Sequence, residues 1–133
     1  MTAPNRVLGR VVGAESAVEP RMDPERLDVY AVALEFQLVA AAAVRRAHRT
    51  LREQLERASL SIVLNIAEGA GRRSRSDKAR FYCIARGSCA ECFAAFDVLR
   101  FRAMISEAMY FEARRKLARI AQMLTRLERA MRS

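Results

Sequence analysis

Glu68, Glu91, Cys89, Cys92 and the single His48 are residues whose types could do covalent or acid–base chemistry. Two carboxylates can share general acid and base roles only if they converge on one substrate. Both lie in segments that read as helices joined near residue 74. Folding those helices back on each other sets Glu68 level with Arg80, Arg57 with Glu91, Asn65 with Cys83 and Ser61 with Gly87. The two carboxylates then differ by about ten residues in level, roughly 15 Å at the helical rise, so no carboxylate pair is expected within one subunit. A di-iron bundle needs Glu-x-x-His motifs, and the residue three before His48 is Arg45. With Arg45, Arg46 and Arg49 beside it, His48 reads as an exposed linker residue. Cys89-Ala-Glu-Cys92 is formally C-x-x-C, but it lacks both a βαβ context and a second ligand pair. Its thiols read as small buried hydrophobes. Gly69-Ala-Gly71 before Arg72-Arg73 has neither the spacing nor the preceding strand of a P-loop. The expectation is no catalytic residue, no metal and no cofactor: not an enzyme.

The remaining chemistry is charge. The 133 residues carry 24 Lys+Arg against 15 Asp+Glu, a net charge of +9. Residues 1–24, 25–47 and 48–69 each sum to zero. The excess gathers in two places. Arg72, Arg73, Arg75, Lys78 and Arg80 face only Asp77 over residues 70–80. Arg115, Arg119, Arg126 and Arg129, with Gln122, repeat at helical spacing near the C-terminus. Clustered cations of this kind point to phosphate contacts with nucleic acid. The alternative is an adaptor whose basic surface meets an acidic or RNA-laden protein.

The elements that would position these groups are helices. Every Pro, and two of the five Gly, fall in residues 1–24. The rest of the chain lacks the turn punctuation of a sheet protein. Residues 1–23 read as a flexible tail and 24–133 as one all-α domain. Asp23-Pro24-Glu25 predicts a first helix over about 24–47. Thr50 and Glu53 predict a capping box for a second, ended by Gly69-Ala-Gly71. Ser74 or Ser76 starts a third, running to about Leu99. After a break near 103–106, Ser106-Glu107 starts a fourth. Ala113, Leu117, Ile120, Leu124, Leu127 and Met131 give that last helix a bundle seam. The Arg strip lies two residues off the seam, roughly 200° round the helix, so it faces outward. Four such helices imply an antiparallel up-down-up-down bundle. Its polar pairs should form buried or half-buried ion pairs that fix register, with Gly87-Ser88 at a close approach of the second and third helices.

The first and third helices are apolar nearly all round, which predicts a neighbouring subunit. No signal peptide or membrane span is read. An odd number of Cys fits reduced thiols in a cytoplasm.

Two motifs carry a family resemblance. Ser61 to Arg72 matches S-I-x-x-N-I-A-E-G-x-G-R, and Phe81 to Glu91 matches F-x-x-I-A-x-G-S-x-x-E. Together they resemble the "four helix bundle protein" family, known from reading frames in intervening sequences of large-subunit ribosomal RNA genes. The resemblance spans roughly residues 26–131. It implies a four-helix subunit, a ring-like homopentamer with a basic surface, and no enzymatic activity. It also implies kinship with accessory variability proteins of diversity-generating retroelements, which bind a reverse transcriptase and nucleic acid. On the motif positions, Ser61, Asn65, Glu68, Gly69, Gly71, Gly87, Ser88 and Glu91 are expected to be structural. The sequence departs from the family phrase at Leu27-Asp28-Val29-Tyr30, with Tyr for Trp, and at Leu64, where a Pro is frequent.

Overall fold

A computed structural model describes residues 20–133. The expected flexible tail lies outside these residues except for its last four. The described chain is all-helical: a 3₁₀ turn Asp23–Arg26, then α1 (Asp28–Val44), α2 (Arg49–Gly71), α3 (Arg75–Phe101) and α4 (Glu107–Arg132). The four helices pack as a bundle in which each touches two neighbours, α1 closing the circle against both α2 and α4.

The first helix differs from expectation. Asp23-Pro24-Glu25 does not open a long helix. It opens a single 3₁₀ turn, in which the Met22 N–H donates to Glu25 Oε1 at 2.7 Å. Leu27 then adopts an extended conformation (φ −102°, ψ 125°), and α1 begins only at Asp28. The proline signal marked a real start, but of the wrong element. Leu27 packs against the core, and burying it there turns the chain before α1.

The Thr50–Glu53 capping box is also corrected. His48 takes the N-cap position of α2 with no side-chain bond, and Thr50 already lies inside the helix. Glu53 pairs instead with Arg49 at 3.6 Å, on the surface.

The later boundaries follow the sequence. Of Ser74 and Ser76, it is Ser74 that caps α3, its Oγ accepting from the Asp77 N–H at 3.0 Å. Ser106 Oγ likewise accepts from the Met109 N–H at 3.1 Å to start α4. Between them α3 ends through Ala103, at φ 56°. The Met104 N–H reaches the Leu99 carbonyl and the Ala103 N–H the Arg100 carbonyl, each at 2.9 Å. This is a Schellman-type end with Ala at the left-handed position that Gly usually fills.

The core is built from one stripe of each helix. Phe36 of α1 meets Phe96 of α3 with ring centroids 6.0 Å apart. Leu55, Ile62 and Ile66 of α2 and Leu117, Ile120 and Leu124 of α4 are fully buried around them. The outer seam positions Leu127 and Met131 are only partly buried against this core. The polar cross-links have a consistent order. Arg57 reaches Glu91 and Ser61 reaches Ser88 between α2 and α3. Arg86 reaches Glu128 and Arg100 reaches Glu107 between α3 and α4.

Candidate nucleic-acid interface

The α4 strip stands where its spacing sets it. Arg115, Arg119, Arg126 and Arg129 are all exposed, as is Gln122, while Leu117, Ile120 and Leu124 between them are buried. None of the four joins an ion pair among the described residues. Their guanidinium forks therefore face solvent with their donors free, the state in which a phosphate can be bound bidentately.

The α2–α3 connection is different, because its cations are partly engaged. Arg75 donates to the carbonyls of Ala130 and, at 3.3 Å, Met131. It thereby caps the C-terminal end of α4. Lys78 Nζ donates to Ala70 O at 2.8 Å and Gly69 O at 3.3 Å, capping α2. Each helix C-terminus carries about half a negative charge, so these two cations present less positive field outward than their count suggests. Arg72 pairs with Glu68 at 2.9 Å. Arg72 and Arg80 both lie over the Phe81 ring, 4.8 and 4.4 Å from its centroid. Arg73 is exposed and joins no ion pair among the described residues.

The motif residues knit α2 to α3, though not all in the expected pairs. Arg57 meets Glu91 at 3.3 Å as expected, and with side chains 60% and 51% exposed the pair sits at the surface rather than in the core. Such a pair is screened and contributes about 0–1 kcal/mol. Glu68 turns back to Arg72, four residues on, and not across to Arg80. Asn65 does not reach Cys83. Its Nδ2 donates to the Ser61 carbonyl at 2.9 Å and to Ser61 Oγ at 3.0 Å. Ser61 Oγ and Ser88 Oγ are 2.7 Å apart. This hydroxyl pair, not an ion pair, is the inward polar link.

The Ser61–Ser88 contact puts α2 and α3 close together at that level, while Gly87 itself faces outward. Nothing lies within 4 Å of where a Cβ on Gly87 would sit, and Gly87 is exposed. At Gly69 that atom would fall 2.7 Å from the Tyr82 ring and 3.1 Å from Phe81 Cβ. Gly69 is a second place where α3 packs closely on α2, with the buried Tyr82 ring against it. Gly71 has open space around it and simply ends α2.

Several anchors were not legible in the sequence. Glu128 accepts from both Arg86 and Arg132, linking α3 to α4. Burial alone would raise the Glu128 carboxyl. Hydrogen bonds from Arg132 and Arg86 outweigh it and hold the carboxyl below the usual carboxylate range. Tyr110 donates to Asp97 at 2.6 Å, and Lys116 pairs with Glu35 at 3.4 Å. The i,i+4 spacing of Glu128 and Arg132 was a visible signal; the others needed the registers of α4 against α3 and, for Lys116–Glu35, against α1.

Glu68 and Glu91 are each engaged with an Arg. Cys89 and Cys92 are buried free thiols, both pushed up to about 12 by burial. Cys89 donates to the Leu117 carbonyl at 3.2 Å. No group of three or more His, Cys, Asp or Glu among the described residues is arranged to hold a metal, and no described helix is long and apolar enough to cross a membrane.

The two motifs, now seen as the Ser61–Ser88 link and the Gly69 contact, belong to one matched segment. The family model of the 23S rRNA-intervening sequence protein matches residues 25–126. The chain belongs to this family. The match covers all of α1, α2 and α3 and most of α4, so it includes the motif residues, the α2–α3 connection and three of the four strip arginines. Comparison with curated proteins gives no match.

Proposed function

We propose that this family member is a non-enzymatic, basic, homo-oligomeric four-helix bundle that binds RNA or DNA through its arginine-rich surfaces. The observation that carries the reading is the α4 strip: four exposed guanidiniums on one line, none paired with a described carboxylate. Contacts of this kind neutralise phosphates and release counterions, so binding is strongly salt-dependent and weakly sequence-specific. A mobility-shift titration with mixed-sequence RNA and DNA at two salt concentrations tests it. Binding at low salt that collapses at high salt is expected; no binding at low salt rejects the reading.

The subunit is read as an antiparallel up-down-up-down bundle, supported by the order of the cross-links. Partners rise in number along one helix while they fall along the next, as in Arg57–Glu91 followed by Ser61–Ser88. The assembly is read as a ring-like homo-oligomer, with a pentamer favoured by the family resemblance. Its support is an outward stripe on α3. Ile84, Gly87, Glu91, Ala94, Val98 and Phe101 are all exposed at alternating spacings of three and four, the pattern of a second seam. Leu60 and Leu64 of α2, 51% and 55% exposed, extend the apolar surface. The solution mass decides this point, a monomer contradicting it. The free thiols fit a reducing, cytoplasmic compartment.

A protein adaptor, such as a partner of a reverse transcriptase, is the second reading. Phe101, 90% exposed at the end of α3, favours it, because a large apolar side chain so placed suits a protein contact.

A further inference from the structure

Two open clefts lie side by side around the 3₁₀ turn, which packs on α1 and α2, with residues of α3 and α4 completing their lining. The first, about 480 Å³, is lined by Arg26, Arg72, Arg73 and Lys78, with Asp23 as its one carboxylate. The second, about 420 Å³, is lined by Arg26 and Arg126, with Asp28 as its carboxylate and an apolar wall that includes Met123 and Leu127. Arg26 and Leu27 line both. Within this pair of clefts Lys78 is held by helix carbonyls and Arg72 by Glu68. Arg26, Arg73 and Arg126 form no ion pair among the described residues. Each comes from a different element.

Arg26 is invisible to a count of charge along the chain, because residues 25–47 sum to zero. The short 3₁₀ turn changes its meaning. By stopping before Leu27, the turn sets Arg26 between the α2–α3 connection and the α4 strip. Arg75 already reaches the C-terminal end of α4; Arg26 adds an unpaired cation shared by the cleft of Arg73 and the cleft of Arg126.

We infer that the two clefts form one phosphate track, on which Arg73, Arg26 and Arg126 hold successive phosphodiesters of a single nucleic-acid strand. The inference rests on the nucleic-acid reading above and assigns it a path and a further binding residue. Guanidinium forks from three elements suit a repeating anion better than an isolated one. The apolar Leu27, Met123 and Leu127 offer no hydrogen bonds to base edges, so the track reads backbone and not sequence.

The test is a salt-resolved titration of the full-length chain, wild type, Arg26→Ala and Arg45→Ala, on mixed-sequence RNA and DNA in parallel. Arg45 is exposed and lies on the order of 25 Å away along α1, so its variant controls for simple loss of charge. Circular dichroism checks that each variant keeps its helices. Expected is a loss of about fivefold or more for Arg26→Ala, with the salt slope reduced by about one contact, and no comparable loss for Arg45→Ala. The polymer showing the larger Arg26 effect is the one whose phosphates occupy the track. Wild-type binding that Arg26→Ala leaves intact, or that Arg45→Ala weakens equally, overturns the track and spares the nucleic-acid reading. No wild-type binding at low salt overturns both.

Discussion

Gly69 and Gly71 stand two residues apart in one motif and do different work. At Gly69 an added methyl would strike the buried Tyr82 ring at 2.7 Å and crowd the Phe81 Cβ at 3.1 Å. Ala in a helix is favoured over Gly by about 1 kcal/mol, but overpacking costs about 1–3 kcal/mol. Gly69→Ala is therefore expected to lower the melting temperature, whereas Gly71→Ala, at the last position of α2 with open space around it, leaves it unchanged or slightly raised. Equal effects would contradict the close approach. The thiols make a second prediction at this scale. Buried Cys89 and Cys92, held up to about 12, should resist alkylation of the native protein near neutral pH, leaving the half-buried Cys83 as the reactive thiol. All three should label once the chain is unfolded; rapid native labelling of Cys89 would contradict its burial.

Helix boundaries were legible wherever a serine could cap, as at Ser74 and Ser106, because the bond is local. They were misread where tertiary packing overrode a local signal. Asp23-Pro24-Glu25 looked like the start of a long helix, yet packing of Leu27 halts it after one turn. Thr50 and Glu53 have the spacing of a capping box, yet α2 starts before them. The site divided in the same way. The outward face of the α4 strip follows from angular offset alone. The engagement of Arg75 and Lys78 with helix carbonyls was hidden, since it depends on which helix ends meet. Ala103 gives the prediction that belongs here. At φ 56° a Cβ costs about 1 kcal/mol, so Ala103→Gly should raise stability by about that much in denaturant titration. A loss of stability would contradict the left-handed end of α3.

For the whole molecule, the proposed function joins an outward apolar stripe to an outward basic one. Gly87 sits on the apolar stripe, in mid-helix, with nothing within 4 Å of its missing Cβ. Within one subunit Gly87→Ala should therefore stabilise, by up to about 1 kcal/mol. If a second copy packs closely there, the same change should weaken assembly, seen as a smaller mass by sedimentation at equal concentration. An unchanged mass would remove Gly87 from the interface. The basic stripe is tested by the slope of log affinity for mixed-sequence nucleic acid against log salt, for wild type and for Arg115, Arg119, Arg126 and Arg129 all changed to Gln. Each phosphate contact contributes about 0.7–0.9 to that slope. Expected is a slope shallower by roughly three in a protein that keeps its helices. A variant that binds with the wild-type slope would contradict it.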